Sequence, residues 1–563
     1  MFIEVLSMKS VKDIKLYDIP RVKSIREMLE FAGKESGTAT AFMYREGKDI
    51  ISHTYSEFIE TTYALGTALI DLGFGESHIA VIGENSYTWV CVYLTVLQSS
   101  GVFVPVDKEL PAEDIFNVLN HSDSEIVFCS EKYEKIFREN RNKIPFIKKI
   151  VCFATSDDYG DFLSYSKLLE HGRKLRNGGD RSFDSAGTGE YDLKMLVYTS
   201  GTTGMSKGVM LSEHNLAALV SFGPAVSDVR TKCLSVLPYH HTYEAVAGIL
   251  VGLHRRATIC INSQLTQVLK NLQVFKPDYI YLVPAFVELF YKKIWQTAKK
   301  EGKEKGLKFL IAFSNALRKI GIDKRRKFFA SIHESFGGNL IKIVCGGAPV
   351  RPELGDFFDS IGINLINGYG ISECSPLVSA NREEINDCST VGIVIPCCKV
   401  KFINKTDDGE GEICVKGDTV MMGYYKMPEL TAEVIKDGWF MTGDYGKMNK
   451  NGLLVITGRK KNLIVLSNGK NIFPEELENY IQSIPYVKEV IVSGERDKDG
   501  SEIGLCAEVY PDHEMMPDNL PETLRADIDR VTEALPIYKR ITSIKIRDTE
   551  FEKTTSNKIK RKY

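Results

Sequence analysis

The chain runs to 563 residues, too many for one hydrophobic core and enough for two or more domains. Hydrophobic residues make up 43% and charged residues 26%, ordinary for a globular protein, and a net charge of -2 argues against a general nucleic-acid binder. The 12 cysteines are scattered, and the adjacent pair Cys397-Cys398 lacks metal-ligand spacing, so they read as reduced thiols of a cytoplasmic protein.

The stretch Met1-Phe2-Ile3-Glu4-Val5 carries an acid early and no long apolar core, unlike a secretory signal. Residues 78–107 read as strand, helix, strand: Ile79 to Ile82, Tyr87 to Gln98, then Val102 to Val104. Asn85 to Val106 is uncharged, but Gln98, Ser99, Ser100, Gly101 and Pro105 divide it into a buried helix and a strand rather than a membrane span. Pro111 can open the next helix, and strands follow at Ile126 to Phe128 and Ile150 to Phe153. Such βα repeats predict an α/β fold with mainly parallel, helix-covered sheets. Gly172 to Tyr191 reads as a polar surface loop.

The buried strand Met195-Leu196-Val197 then feeds Tyr198-Thr199-Ser200-Gly201-Thr202-Thr203-Gly204-Met205-Ser206-Lys207-Gly208, with a helix expected near Ser212. Gly201, Gly204 and Gly208 permit the close approach and positive φ of a phosphate cradle, and Lys207 adds a point charge. The P-loop pattern is not met, because Ser206 precedes the lysine and Gly208 follows it. On residues alone, a solvated Gly/Ser/Thr loop stays open as the other reading. His240-His241, after a strand at Cys233 to Val236, is either a packed capping feature or part of a site.

Pro284 to Gly338 is helical and basic, with Phe286, Leu289, Phe290 and Ile294, then Phe309, Phe313 and Leu317, at helical spacing. It reads either as a solvated amphipathic insertion or as an interfacial patch for anionic lipid or coenzyme A phosphates. After a strand at Leu340 to Cys345, Gly346-Gly347-Ala348-Pro349 offers a small-residue turn against which a flat base could press. In Asn367-Gly368-Tyr369-Gly370-Ile371-Ser372-Glu373, Tyr369 offers a π-face and Glu373 a hard oxygen for Mg²⁺. Gly411 to Gly417 reads as β-framework, and Asp444 as an isolated carboxylate after a strand. A domain boundary is expected after Gly458, giving 1–458 and a small α+β cap at 459–563. The cap has a helix from Pro474, strands near Val487 to Ser493 and Ile503 to Tyr510, and a helix after Pro521.

Tyr198 to Gly208 resembles the signature of the adenylate-forming superfamily, which includes acyl-CoA synthetases, firefly luciferase and peptide-synthetase adenylation domains; Ser206 stands where proline is usual. Leu237 to Glu244 is similar to the family segment Leu-Pro-x-x-His-x-x-Glu, and further family blocks follow at 367–373 (Ser372 for threonine), 411–417, 438–444, 467–478 and 553–561 (Asn557 for glycine). The insertion, with Phe290-Tyr291-Lys292-Lys293-Ile294-Trp295, looks like that of bacterial long-chain fatty acid–CoA ligases.

The resemblance implies that Thr199, Ser200, Gly201, Thr202, Thr203, Gly204 and Lys207 hold ATP phosphates, with Thr199 and Glu373 at Mg²⁺. It places Gly347, Ala348, Pro349, Asn367, Gly368, Tyr369, Gly370, Ser372, Asp444, Arg459 and Lys461 around the nucleotide, Asp444 on the ribose hydroxyls, and His241 at the carboxylate substrate. Lys558 is then the adenylation lysine, and the loop at Gly469 guides the thiol of coenzyme A after the C-terminal domain turns about Lys461. The implied activity is conversion of a medium- or long-chain fatty acid to acyl-AMP and then acyl-CoA. The implied location is cytoplasmic or peripheral at the inner membrane face. Two rivals stay open: loading of an acyl carrier protein, and a nucleotide-binding sensor or scaffold without turnover.

Overall fold

The computed structural model describes residues 11–187, 189–199, 206–406, 409–466, 471–496, 502–533, 535–553 and 559–561. Contacts divide the chain into two compact units: residues up to 399 with 415–440, and 400–414 with 441 onward. The boundary expected after Gly458 lies inside the second unit, because Asp444 and Arg459 are paired across a hairpin of Trp439–Met448 and Leu454–Arg459.

The first unit contains two large sheets. One has nine strands in the order Ile393–Val394, Ser379–Ala380, Asn364–Tyr369, Lys342–Cys345, Tyr279–Leu282, Lys232–Ser235, Thr258–Ile261, Thr40–Glu46 and Asp49–Thr54. Its middle is parallel and its edges antiparallel. The other has eight: Gly423–Tyr424, Lys207–Ser212, Leu193–Thr199, Val102–Pro105, His78–Ile82, Ser124–Cys129, Lys149–Cys152 and Phe162–Ser164. From Leu193–Thr199 onward this sheet is parallel, and its strands read as continuous apolar runs because helices cover both faces.

Helix Tyr87–Gln98 has the expected bounds and is started by Ser86, whose Oγ accepts from the Trp89 N–H at 3.2 Å. Every residue from Trp89 to Gln98 is buried. A helix apolar all round must be a core helix or a span, and here the core claims it. Asn85 Nδ2 donates to the Leu237 carbonyl at 2.8 Å, and the Tyr93 hydroxyl to that of Ala245 at 3.2 Å. Among the described residues, no helix is long and apolar enough to cross a membrane.

Gly172 differs from the loop expected of it and lies within helix Tyr165–Asn177. A Cβ there would meet the Ala64 carbonyl oxygen at 1.9 Å, so the glycine serves close packing against helix Tyr55–Asp71. The helix expected near Ser212 is Glu213–Val226, begun by a capping box in which Ser212 and Asn215 satisfy each other's backbone N–H groups.

The basic insertion forms helices Pro284–Lys300, Glu304–Lys319, Arg325–Phe328 and Ala330–Ser335. Val287, Phe290, Ile294 and Ala298 of the first are buried, and the first three pack into the core beside the nine-stranded sheet. The second helix behaves otherwise. Phe309, Ala312, Phe313, Ala316 and Ile320 form an outward stripe, with Phe309 71% and Ile320 70% exposed. The rings of Phe309 and Phe313 stack at 6.1 Å on that face.

In the second unit, Val487–Arg496 and Glu502–Pro511 are antiparallel, and Ser543–Ile546 adds in parallel. Helices Pro474–Gln482 and Leu520–Val531 cover them over a core including Leu477, Ile481, Val492, Leu505, Leu524 and Ile528. This is the α+β cap read from the sequence.

Candidate active site

The organising loop springs from a hairpin. Strands Leu193–Thr199 and Lys207–Ser212 are antiparallel, with Tyr198 opposite Gly208 and Thr199 opposite Lys207. Ser200, Gly201, Thr202, Thr203 and Gly204 lie outside the described residues, but both stems of their loop are fixed. Gly208 has a packing reason of its own: a Cβ would meet Leu196 Cδ1 at 2.9 Å and the Tyr198 ring at 3.3 Å.

Lys207 Nζ sits 5.4 Å from the centroid of the Tyr424 ring, and the Tyr424 hydroxyl donates to Glu373 Oε1 at 2.9 Å. One buried tyrosine therefore joins the loop lysine to the carboxylate expected to meet Mg²⁺. Burial first, then the Glu373 charge, raises the Tyr424 pKa, so the phenol stays a neutral donor. Tyr424 was not singled out in the sequence; the available signal was a Gly-Tyr-Tyr turn ahead of Pro428.

The remaining first-unit segments form a connected wall. Thr242 Oγ1 and Ser372 Oγ are 3.3 Å apart, which brings the 237–244 segment to the turn bearing Glu373. The Tyr243 hydroxyl donates to the Val344 carbonyl at 3.1 Å. A Cβ on Gly346 would meet the Gly368 carbonyl oxygen at 3.2 Å and the Tyr243 ring at 3.5 Å, so the 346–349 turn abuts the 367–370 segment. Gly347 has φ +82, and a Cβ on Gly370 would lie 1.5 Å from the Pro376 carbonyl oxygen; both positions demand glycine. Asn367 turns its amide to the Thr390 carbonyl at 3.0 Å, and Tyr369 is largely buried.

His241 is exposed, and its Nδ1 accepts the Tyr243 N–H at 3.3 Å, a local turn contact. Its neighbour His240 lies 3.4 Å from Asp107, and burial lowers its pKa against the pull of that carboxylate. Glu244 belongs to a π-helix, Tyr243–Leu250, and is fully buried. Ser235 Oγ donates to its Oε1 at 2.5 Å and lies 3.0 Å from the Tyr239 hydroxyl. Burial pushes the Glu244 carboxyl up to about 8.

That shift predicts a pH signature. The folded protein keeps the Glu244 proton up to about pH 8, whereas the unfolded chain loses it near 4.5, so stability declines as pH rises through this window. Glu244→Gln removes the decline. Its thermal midpoint should rise relative to the parent between pH 5 and pH 8, by the equivalent of a few kcal/mol. Parallel midpoint curves for the two proteins would show that Glu244 does not titrate this way.

In the second unit, Asp444 lies within a ten-residue strand rather than after one, and it is not isolated: Arg459 Nε is 2.9 Å from its Oδ1. Its N–H donates to Thr442 Oγ1 at 3.1 Å. Lys460 pairs with Glu412 at 2.6 Å, and Lys461 follows in the short turn Lys460–Asn462. Gly469 and Lys558 lie outside the described residues. The segment holding Lys558 is anchored on both sides: Lys553 pairs with Glu489 at 2.5 Å, and Arg561 pairs with Glu478.

Among the described residues no group of three or more His, Cys, Asp or Glu could hold a metal by itself.

The pattern of the AMP-binding enzyme family matches residues 29–425, and that of the AMP-binding enzyme C-terminal domain matches 461–563. The chain belongs to the AMP-binding enzyme family. It is 30% identical over 500 residues to human long-chain-fatty-acid–CoA ligase 1, covering 82% of this chain and 70% of that one. Rat long-chain-fatty-acid–CoA ligase 5 is 30% identical over 542 residues, covering 90% and 78%. FadD15 of Mycobacterium tuberculosis, a long-chain-fatty-acid–CoA ligase, is 28% identical over 463 residues, covering 78% and 75%. The fold matches the anthranilate CoA ligase AuaEII in complex with anthranoyl-AMP, with a TM-score of 0.77 at 18% identity over 96% of each chain. It also matches a Mycobacterium tuberculosis fatty acyl CoA synthetase, with a TM-score of 0.64 at 21% identity over 95% and 96%.

Proposed function

We propose that this enzyme activates a medium- or long-chain fatty acid with ATP and passes the acyl group to coenzyme A. The supporting observation is the joining of Lys207, Tyr424 and Glu373 at the mouth of the phosphate hairpin, in a chain whose relatives are long-chain fatty acid–CoA ligases. A carboxylate oxygen is a poor leaving group, so it must be converted before a thiol can displace it. The carboxylate attacks the α-phosphorus of ATP and pyrophosphate leaves. The thiolate of coenzyme A then attacks the acyl carbon and AMP leaves.

The first step brings a carboxylate toward a polyphosphate, so fixed donors and positive charge supply most of the catalysis. Lys207 and the 199–204 loop take the phosphates, and Lys558 the charge developing at the α-phosphate. Glu373 and Thr199 hold Mg²⁺, which neutralises phosphate charge when bound. The 346–349 turn and Tyr369 flank the base, Asp444 takes the ribose hydroxyls with Arg459 and Lys461 beside it, and His241 lies at the acid. The moving part is taken as 459–563, within the second compact unit, turning between steps about Lys461 so that Gly469 reaches the thiol path.

The exposed stripe on Glu304–Lys319 is bordered by the exposed Lys305, Lys319 and Lys324, a composition suited to an anionic lipid surface where long-chain acids partition. A pyrophosphate-release series from acetate to C18 acids, with and without anionic vesicles, tests both readings. Turnover per unit KM should climb with chain length by on the order of 0.8 kcal/mol per buried methylene until the pocket ends. Vesicles should bind the parent, and Phe309→Glu should weaken that binding. Acetate as the best substrate would refute the substrate class, and equal vesicle binding by Phe309→Glu would refute the lipid face. A carrier-protein phosphopantetheine outperforming coenzyme A would make the carrier the acceptor.

A further inference from the structure

We propose that Tyr424 is a positioning residue for adenylation, holding the metal-side carboxylate with its hydroxyl and the phosphate-side lysine with its ring. This rests on the reading of Glu373 and Lys207 as ATP-handling groups. The hydroxyl donates to Glu373 Oε1 at 2.9 Å, and among the described residues it is the hydrogen-bond donor to that carboxylate. A charge-assisted bond at one oxygen fixes the carboxylate rotamer and leaves Oε2 to meet the metal. Lys207 Nζ, 5.4 Å from the ring centroid, is within the range of a cation–π attraction, which restrains a long side chain without using its N–H donors.

The tyrosine can orient others because its own backbone is fixed on every side. Gly423–Tyr424 is a two-residue strand paired to Lys207–Ser212, with Tyr424 opposite Val209. The flanking N–H groups of Met422 and Tyr425 donate to Met210 and Gly208 at 2.9 and 2.8 Å. The Met421 N–H donates to the Glu373 carbonyl at 2.9 Å, so the strand is tied to the carboxylate's own backbone. The Tyr424 N–H donates to Thr431 Oγ1 at 2.9 Å. Gly423, at φ +145, would place a Cβ 2.7 Å from Thr431 Cγ2, so the strand fits only with glycine before the tyrosine.

The hydroxyl and the ring can be removed separately, and the two removals should read differently. In the full-length enzyme, pyrophosphate release is measured against Mg²⁺ at saturating ATP and against ATP at saturating Mg²⁺, for Tyr424→Phe, Tyr424→Leu and Glu373→Gln. Tyr424→Phe keeps the ring and should raise the Mg²⁺ concentration for half-maximal rate about tenfold, with the KM for ATP little changed. Tyr424→Leu should raise both. Half-saturation does not depend on how much of a preparation is folded, so partial loss of protein would not imitate the shift. An unchanged Mg²⁺ half-saturation in Tyr424→Phe, with Glu373→Gln inactive, would overturn the positioning role and leave the reading of Glu373 intact. A Glu373→Gln enzyme with parental rate and Mg²⁺ dependence would overturn both.

Discussion

Lys558→Ala should fail to make acyl-adenylate from fatty acid and ATP, yet convert supplied acyl-adenylate and coenzyme A to thioester at close to the parental rate. The prediction follows from where charge appears. Bonds to the α-phosphorus change only in the first step, and under the two-orientation reading the lysine has left before the thiol attacks the acyl carbon, so its loss should spare that second step. Losing a contact of this kind costs roughly 3–4 kcal/mol, a hundredfold or more in rate. The anchors on either side of the lysine, Lys553 with Glu489 and Arg561 with Glu478, do not involve it, so the segment should keep its attachment to the second unit. Gly469→Trp is the reciprocal change: bulk in the pantetheine path should block thioester formation and spare adenylation. Equal loss of both half-reactions in a folded Lys558→Ala enzyme would contradict a mechanism with two orientations.

Glu373→Gln is the second change with a large expected effect. Glutamine keeps the shape, and its Oε1 can still accept the Tyr424 hydroxyl, so the local hydrogen bond and the fold should survive. What disappears is the charge that a hard cation needs. Adenylation should fall by about a hundredfold or more, with the residual rate less dependent on Mg²⁺. Single-turnover adenylate formation across a Mg²⁺ titration reads both quantities. A folded variant with parental rate and metal dependence would remove Glu373 from the site.

The parts most legible in the sequence were those where local chemistry and burial agree. Helix Tyr87–Gln98 could be bounded because Ser86 caps it and Ser99 to Gly101 end it, while its unbroken apolar surface fits only a core. The parallel strands were legible as short apolar runs. Gly172 misled because a glycine amid polar residues looks like a turn, whereas this one exists to admit the Ala64 carbonyl, a contact over a hundred residues away. The outward stripe on Glu304–Lys319 has the same periodicity as an inward one, so spacing alone could not say which way Phe309 and Phe313 face. At the site, the glycine- and hydroxyl-rich segments announced themselves by composition. Tyr424 did not, because its meaning lies in two partners, 217 and 51 positions back, reached only once the sheet has formed. Asp444 looked isolated for a similar reason, since Arg459 arrives across a hairpin.

That hairpin also bears on timing. Gly458 lies so close to Phe473 that a Cβ would sit 2.6 Å from Cδ1 of its ring, and Tyr445 packs on the same ring at 5.3 Å. The turn at Lys460–Asn462 separates the hairpin from Phe473 in sequence, so the proposed rotation of the later residues about that turn would lift a buried phenyl ring out of its seat. Unseating it costs on the order of 2 kcal/mol, about thirtyfold in the balance between seated and released forms. Under the proposed turning about Lys461, the close seat at Gly458 would act as a detent that favours the seated arrangement of Phe473 by that factor.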